Sequence, residues 1–185
     1  GRLVFCLCEN EVGALAGFVA LYDCHAVCLL LSSHIDPGLL DSLYETYLPS
    51  YFWMPEAKVL DRVTEVVFHY KGYILCKTSC LAPVMHPDLS MLMTTSGTTG
   101  SPKLVRHKYG NIEHNAKNVA QVFGWTSKER GIIDLPMQYT MGLNVINSHL
   151  YAGATVLLVS ANLMSPKFWS FIKEQKGTNF TGVPF

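Results

Sequence analysis

The residues best suited to chemistry are Thr94 to Lys103, with the sequence Thr-Thr-Ser-Gly-Thr-Thr-Gly-Ser-Pro-Lys. Gly97 and Gly100 allow backbone amides to approach an anion without an intervening Cβ atom. Lys103 adds a mobile positive charge suited to phosphate oxygens. Hydroxyl donors surround the glycines at Thr95, Ser96, Thr98, Thr99 and Ser101. The segment therefore predicts a phosphate-binding loop.

The segment has two other possible interpretations, a surface linker and a Walker-type P-loop. A hydroxyl-rich linker is disfavoured because an apolar segment directly precedes the loop and another follows it. A Walker-type P-loop has four residues between its two glycines. A lysine follows the second glycine, a serine or threonine follows the lysine, and a helix begins there. Here two residues separate Gly97 from Gly100, and Leu104-Val105-Arg106 after the lysine favour a strand. A P-loop is therefore disfavoured as well.

The segments that position the loop predict an α/β fold, with a mostly parallel sheet and crossover helices. Leu89 to Met93 is predicted as the strand before the loop, and Lys103 to His107 as extended chain after it. Lys71-Gly72 predicts the turn of an inserted β-hairpin. Further strands are predicted at Leu3–Leu7, Ala26–Leu31, Tyr51–Trp53, Val66–Tyr70, Tyr73–Lys77, Gly131–Leu135, Thr155–Val159 and Asn179–Val183.

Helices are predicted between these strands from capping residues and apolar spacing. Asn10, Asp36, Asn111 and Ser165 are the expected caps, and Thr126 with Glu129 gives a further capping signal. A helix containing Leu143, Ile146 and Leu150 is expected to end at Gly153. The buried face of the first helix is predicted to carry Val12, Leu15, Ala16 and Val19. The apolar stripe of the helix after Asn111 is predicted to consist of Ile112, Ala116, Val119, Ala120 and Phe123.

Composition limits the classes of partner. The chain has 185 residues with 14 basic and 14 acidic side chains, so no charged footprint for nucleic acid or an anionic membrane is present. The apolar run from Val12 to Leu31 contains Asp23 and His25, which favours a helix and a strand over a membrane span. Free thiols in a reducing cytoplasm are expected for the six cysteines. Cys24 and Cys28 are close enough in sequence for a zinc site, but no second pair of the usual spacing accompanies them.

The string Ser96 to Lys103 resembles the phosphate-loop signature of the adenylate-forming enzymes, which include acyl-CoA synthetases, peptide-synthetase adenylation domains and luciferases. Val12 to Leu31 resembles the helix and strand ahead of that loop. Leu135 to Gly142 resembles the next motif of these enzymes, and Thr181 to Pro184 a later strand end. The resemblance is strong at the loop and looser elsewhere.

The resemblance implies attack of a substrate carboxylate on the α-phosphate of ATP, giving an acyl-adenylate and pyrophosphate. Transfer to a thiol, such as that of coenzyme A or a carrier protein, would follow. It assigns Lys103 as the catalytic cation and Thr95 to Ser101 as nucleotide-binding residues. Tyr139 and Gly142 would belong to the substrate pocket, although Tyr139 could equally pack structurally.

Two departures from the family pattern leave an alternative open. Leu104 stands where a glycine usually follows the motif lysine, and Tyr139 replaces a common histidine. A catalytically silent nucleotide-binding or scaffold module that keeps the loop is therefore the second hypothesis.

The resemblance also predicts how much of the enzyme is present. Residues 1–185 are expected to be the early part of a larger N-terminal AMP-binding domain carrying the loop at residues 94–103. The rest of that domain, the magnesium ligand and the C-terminal lid would lie outside this sequence. We therefore expect the 185-residue chain alone to be inactive or nearly so, with no metal ligands of its own.

Overall fold

The computed structural model describes residues 1–94 and 103–182, and the chain divides after Lys108 into two compact units. The first unit contains a seven-stranded sheet in the order β4-β5-β3-β1-β2-β6-β7. Its strands are β1 (Leu3–Cys8), β2 (Val27–Ser32), β3 (Tyr51–Pro55), β4 (Val63–Tyr70), β5 (Tyr73–Thr78), β6 (Leu89–Thr94) and β7 (Leu104–Lys108). Its helices are α1 (Val12–Asp23), α2 (Pro37–Tyr47) and a short 3-10 turn at Glu56–Lys58.

Four neighbouring strands of this sheet, β3, β1, β2 and β6, are parallel. Strand β1 pairs with β3 on one side and with β2 on the other, and β2 pairs with β6. Antiparallel pairs of β5 with β3 and of β7 with β6 complete the sheet. Every residue of β1 is buried, as expected for a parallel strand covered on both faces. The predicted α/β architecture with a mainly parallel sheet is thereby confirmed.

Helix α2 covers one face of this sheet. The Asp36 side chain caps it by accepting a hydrogen bond from the Leu39 amide at 2.9 Å, as the sequence predicts. Leu40 and Leu43 are buried in the resulting core. Phe5 and Phe52 meet edge to face in that core, with ring centroids 5.6 Å apart.

Helix α1 buries a different face from the one predicted. Ala14 and Phe18 point inward, whereas Val12 and Val19 are exposed. Apolar side chains surround most of this helix, so spacing alone could not select the buried stripe. Gly17 decides the orientation, because a Cβ atom there would lie 2.1 Å from the Trp53 ring. The predicted Asn10 cap is also wrong, since Glu11 occupies the N-cap position without a side-chain hydrogen bond.

The inserted hairpin is confirmed. Strands β4 and β5 are antiparallel, and Lys71 and Gly72 between them have φ values of 48° and 76°. Positive φ at both central residues defines a type I′ turn, whose twist suits paired strands. Strand β4 begins at Val63, three residues before the predicted start, and most of its side chains are exposed.

The second unit repeats the strand order of the first on a smaller scale. Its elements are α3 (Asn111–Phe123), β8 (Arg130–Ile133), α4 (Thr140–Tyr151), β9 (Thr155–Leu158), α5 (Pro166–Glu174) and β10 (Asn179–Phe180). The three strands are parallel in the order β10-β8-β9. In the first unit, the strands of the succession β1-α1-β2-α2-β3 lie in the order β3-β1-β2. In both units the third strand along the chain therefore lies beside the first, and the first beside the second. Ile132, Leu157 and Phe168 form the core of the second unit.

Several local predictions in the second unit are wrong. Gly110, and not Asn111, is the N-cap residue of α3, and Phe123 at its end is 66% exposed. Thr126 and Glu129 start no helix, because the Glu129 carboxylate accepts hydrogen bonds from Thr178 and Asn179 instead. The Ser165 cap is confirmed by its hydrogen bond from the Lys167 amide.

Candidate functional site

The candidate phosphate-binding segment connects the antiparallel strands β6 and β7. Thr94, the last residue of β6, pairs with Leu104, the first residue of β7. The segment between them is therefore held with its two ends side by side. Its predicted nucleotide-binding residues, Thr95, Ser96, Gly97, Thr98, Thr99, Gly100 and Ser101, lie outside the described residues.

Lys103 is exposed and immediately precedes β7. A strand, and not a helix, follows this lysine, so the helix N-terminus that a P-loop places against its phosphates is missing from this position. The strand β7 directly after Lys103 contradicts the Walker-type alternative. Lys103 therefore stands between the candidate segment and β7.

A polar network lies along the carboxyl edge of the parallel strands, where ligands of open α/β sheets commonly bind. The Glu9 carboxylate follows β1 and accepts hydrogen bonds from the Ser33 hydroxyl at 2.6 Å and from Lys58 Nζ at 3.1 Å. Lys58 also donates to the Ser33 carbonyl at 3.1 Å. These contacts join the ends of β1 and β2 to the turn after β3, and β6 runs beside β2 toward the same edge.

The electrostatics of this network favour an ionised carboxylate. The hydrogen bond from Ser33 lowers the pKa of Glu9, and the charge and hydrogen bond of Lys58 act in the same direction. Lys58 Nζ also lies 3.3 Å from His34 Nδ1. The network fixes the sheet edge next to the strand that leads into the candidate loop.

The second candidate motif surrounds the start of α4. Tyr139 occupies the N-cap position, and its carbonyl accepts a hydrogen bond from the Leu143 amide at 3.0 Å. The Tyr139 side chain is 56% exposed. Gly142 is buried, and a Cβ atom there would lie 2.4 Å from the Pro136 carbonyl oxygen. Gly142 therefore allows close contact between the first turn of α4 and the backbone that precedes it.

Asp134 directly follows β8 and directly precedes this motif. Its Oδ1 atom is shielded from solvent and has no hydrogen-bond partner among the residues that the structure describes. Burial raises the pKa of the Asp134 carboxyl, against the lowering effect of backbone hydrogen bonds. Such a residue at the carboxyl end of a parallel strand was not identified from the sequence. Its position after an apolar strand was the available signal.

Lys103 belongs to the first unit, whereas Tyr139 and Gly142 belong to the second. Within residues 1–94 and 103–182, no three histidine, cysteine or acidic side chains converge as a metal site would require. The six cysteines are free thiols. None of the helices in the described part of the chain has the length and apolar character needed to cross a membrane.

The fold and the pairing of β6 with β7 define an α/β protein with a candidate anion-binding segment between these two strands. Comparison with known families then identifies it further. Residues 3–185 match the model of the AMP-binding enzyme family, and the chain belongs to that family. The predicted resemblance is confirmed.

Similar curated proteins are CoA ligases. Oxalate--CoA ligase of Arabidopsis thaliana is 34% identical over 131 residues, which are 69% of this chain and 26% of the relative. 2-Succinylbenzoate--CoA ligase of Bacillus subtilis is 40% identical over 67 residues, which are 36% of this chain and 14% of the relative. The matched segments therefore cover about a quarter or less of the length of these two relatives.

Similar solved structures support the fold. The o-succinylbenzoate CoA synthetase of Bacillus subtilis, in complex with its acyl-adenylate intermediate, matches with a TM-score of 0.73 and 21% identity. That match covers 97% of this chain and 48% of the other. Apo MatB from Rhodopseudomonas palustris matches with a TM-score of 0.77 and 20% identity, covering 100% of this chain and 39% of the other.

Proposed function

We propose that the protein activates a carboxylic acid with ATP, forming an acyl-adenylate and releasing pyrophosphate. The observation that carries this proposal is the pairing of Thr94 with Leu104, which holds together the two ends of the segment that contains the glycines, the hydroxyl residues and Lys103. Membership of the AMP-binding enzyme family supports the same reaction. The CoA ligases among its relatives support it further.

In the proposed reaction, a carboxylate oxygen attacks the α-phosphorus of ATP. The bond from that phosphorus to the bridging oxygen breaks, and pyrophosphate leaves with the electron pair. Hydroxyls and amides of residues 95–101 orient the β- and γ-phosphates, while Lys103 offsets their charge. A magnesium ion would neutralise further phosphate charge, and the resemblance assigns its ligand to sequence beyond these residues.

The second proposed step transfers the acyl group to a thiol. The thiolate attacks the acyl carbon, and AMP leaves with its phosphate oxygen. Coenzyme A is the acceptor that the names of the relatives support. A carrier-protein thiol is the alternative acceptor. The free thiols of this chain agree with a reducing compartment, and we propose a cytoplasmic location.

Tyr139 and Gly142 are proposed to contribute to the pocket for the acid. The exposed Tyr139 ring is available to contact a substrate, and Gly142 keeps the first turn of α4 close to residues 135–136. The named relatives act on acids as different as oxalate and 2-succinylbenzoate. The proposal therefore specifies a carboxylic acid and leaves its side chain to experiment.

Exchange of labelled pyrophosphate into ATP tests this function in the full-length protein. A panel of short, long and aromatic carboxylates should contain at least one acid that stimulates exchange. Nucleotide binding without exchange for any acid would favour a silent module, an alternative prompted by Leu104 and Tyr139. The 185-residue chain assayed alone should give no exchange, and carboxylate-dependent exchange by that chain would refute its proposed incompleteness.

A further inference from the structure

A buried serine lies inside the strand that leads into the candidate phosphate-binding segment. Ser90 of β6 is fully buried, and its neighbours Leu89 and Met91 are apolar. Burial of a hydroxyl is costly unless the hydroxyl forms a hydrogen bond. Ser90 Oγ donates to the His107 carbonyl of β7 at 3.0 Å. This serine therefore connects the strand that enters the segment with the strand that leaves it.

The pairing of β6 with β7 is irregular at this serine. Leu89 lies opposite Lys108, whereas Met91 lies opposite His107. Two steps along β6 thus match one step along β7, and Ser90 is the extra residue of a β-bulge. A bulge locally disrupts the backbone ladder. The Ser90 hydroxyl provides a hydrogen bond between the two strands at the point of this disruption.

The bulge decides which residue of β7 lies opposite the end of β6. Counting on from Leu89 and Lys108 without an extra residue would place Lys103 opposite Thr94. With the bulge, Thr94 lies opposite Leu104. Lys103 therefore precedes the ladder and belongs to the connecting segment. The bulge makes this segment one residue longer and keeps the lysine in it.

The packing of Leu104 agrees with this register. Its side chain packs against the core that contains Leu92. The two leucines share a face of the sheet, because Leu104 lies opposite Thr94 and Leu92 is two positions before Thr94. Without the bulge, Leu104 would lie opposite Met93 and would therefore point to the other face. The leucine that departs from the family pattern thus helps to fix the register.

We propose that Ser90 is a positioning residue for the phosphate-binding segment, because its hydrogen bond holds the bulge that keeps Lys103 ahead of β7. A slip by one residue would pair Lys103 with Thr94 and turn the side chains of β7 to the opposite face. Bulges beside active sites re-aim side chains in this way. The effect on ATP rests on the proposed function, whereas the register does not.

Methyl NMR of the full-length protein measures the register without an assay of activity. Met93 lies opposite Val105, so their methyl groups should show a nuclear Overhauser effect in the wild type. The Met93 signal is assigned by its loss in Met93→Leu. Ser90→Ala should weaken this contact and produce one between Met93 and Leu104. Ser90→Thr keeps the hydroxyl and should retain the wild-type contact.

Kinetics of ATP–pyrophosphate exchange measure the consequence for ATP. Ser90→Ala should raise KM for ATP about fivefold, as expected when a buried hydrogen bond that favours one register is lost. KM for the carboxylate should stay unchanged, and Ser90→Thr should restore the wild-type KM for ATP. A role limited to stability would reduce the amount of folded enzyme without changing KM for one substrate alone.

Thr78→Ala provides the matched control. Thr78 of β5 is buried, and its Oγ1 donates to the Pro49 carbonyl at 2.6 Å. The substitution therefore removes the same kind of hydrogen bond from the same sheet, but β3, β1 and β2 separate β5 from β6. Thr78→Ala should lower the Tm while leaving both KM values and the contact of Met93 with Val105 unchanged.

A contact between Met93 and Leu104 in the wild type would overturn the register. Unchanged KM for ATP in Ser90→Ala would overturn the positioning role, whether or not the methyl contacts change. If no acid supports exchange by the wild type, the proposed function fails and the methyl contacts alone decide whether Ser90 sets the register. Should Ser90→Ala fail to fold, Ser90→Cys keeps the shape but donates weakly, and it should show smaller changes in the same direction. No change in Ser90→Cys would contradict the proposal.

Discussion

Thr94 and Leu104 pair across β6 and β7, so the two ends of the candidate phosphate-binding segment are fixed to each other by the sheet. A connection anchored in this way loses less conformational entropy on binding a ligand than one with free ends. Because β6 continues the parallel strands, the connection also begins at the sheet edge where the Glu9 network lies. This relationship links the fold to the proposed chemistry.

Gly142→Ala should destabilise the second unit. The added Cβ atom would lie 2.4 Å from the Pro136 carbonyl oxygen, so the first turn of α4 must move. We expect a loss of about 1–3 kcal/mol in the free energy of unfolding, measured by denaturant titration. Met141→Ala, at an exposed neighbouring position, should change stability little. Equal effects of the two substitutions would contradict the packing assigned to Gly142.

Glu9→Gln should lower stability at neutral pH and leave it nearly unchanged in acid. The pKa of Glu9 is lowered in the folded protein, so its contribution is present above the ordinary glutamate value of ~4.3. It is lost as pH falls through the lowered value. Because Glu9 is partly exposed, we expect about 0.5 kcal/mol. Thermal unfolding across this range, with the exposed Glu65→Gln as control, should show pH dependence only for Glu9→Gln.

Asp134→Asn should have the opposite pH dependence. Burial raises the pKa of Asp134, so folding is favoured while the carboxyl is protonated and this advantage is lost as pH rises through the raised value. The amide carries no such cost, and the variant should gain about 0.5 kcal/mol at neutral pH after allowance for solvent screening. Denaturant midpoints at acidic and neutral pH measure the difference. A variant that is less stable than wild type at neutral pH would show that the ionised carboxylate is needed.

Tyr139→Ala should alter use of the acid more than use of ATP. The exposed ring lies at the start of α4, where the resemblance assigns the substrate pocket. Loss of a substrate contact should raise KM for the carboxylate, or change which acid is preferred, by about tenfold. Steady-state kinetics of the full-length protein with each substrate varied in turn provides the measurement. Unchanged kinetics for every acid would remove Tyr139 from the pocket.

Local signals predicted the fold more successfully than they predicted packing. Lys71-Gly72 identified the hairpin because a type I′ turn has strict backbone requirements, and Asp36 identified the start of α2. The buried face of α1 was predicted wrongly because the contact of Gly17 with Trp53 decides it, and these residues are distant in sequence. No spacing rule connects them.

In the candidate site, too, local features were predictable from the sequence and contacts between distant residues were not. The loop composition and the strand after Lys103 were evident in the sequence, and β7 confirms the latter. The contacts of Glu9 with Ser33 and Lys58, and of Ser90 with His107, depend on how the strands assemble. Each joins residues from different elements, so only the folded chain brings them together.

The most direct test of the account is carboxylate-dependent ATP–pyrophosphate exchange by the full-length protein carrying Lys103→Ala. Lys108→Ala is the matched control, because it removes the same charge from an exposed position at the other end of β7. We predict that Lys103→Ala lowers exchange by about 100-fold, as expected for loss of a charge acting on the transferring phosphates, while Lys108→Ala retains it. Exchange that is unchanged in Lys103→Ala would contradict the role assigned to this lysine and to the loop it closes.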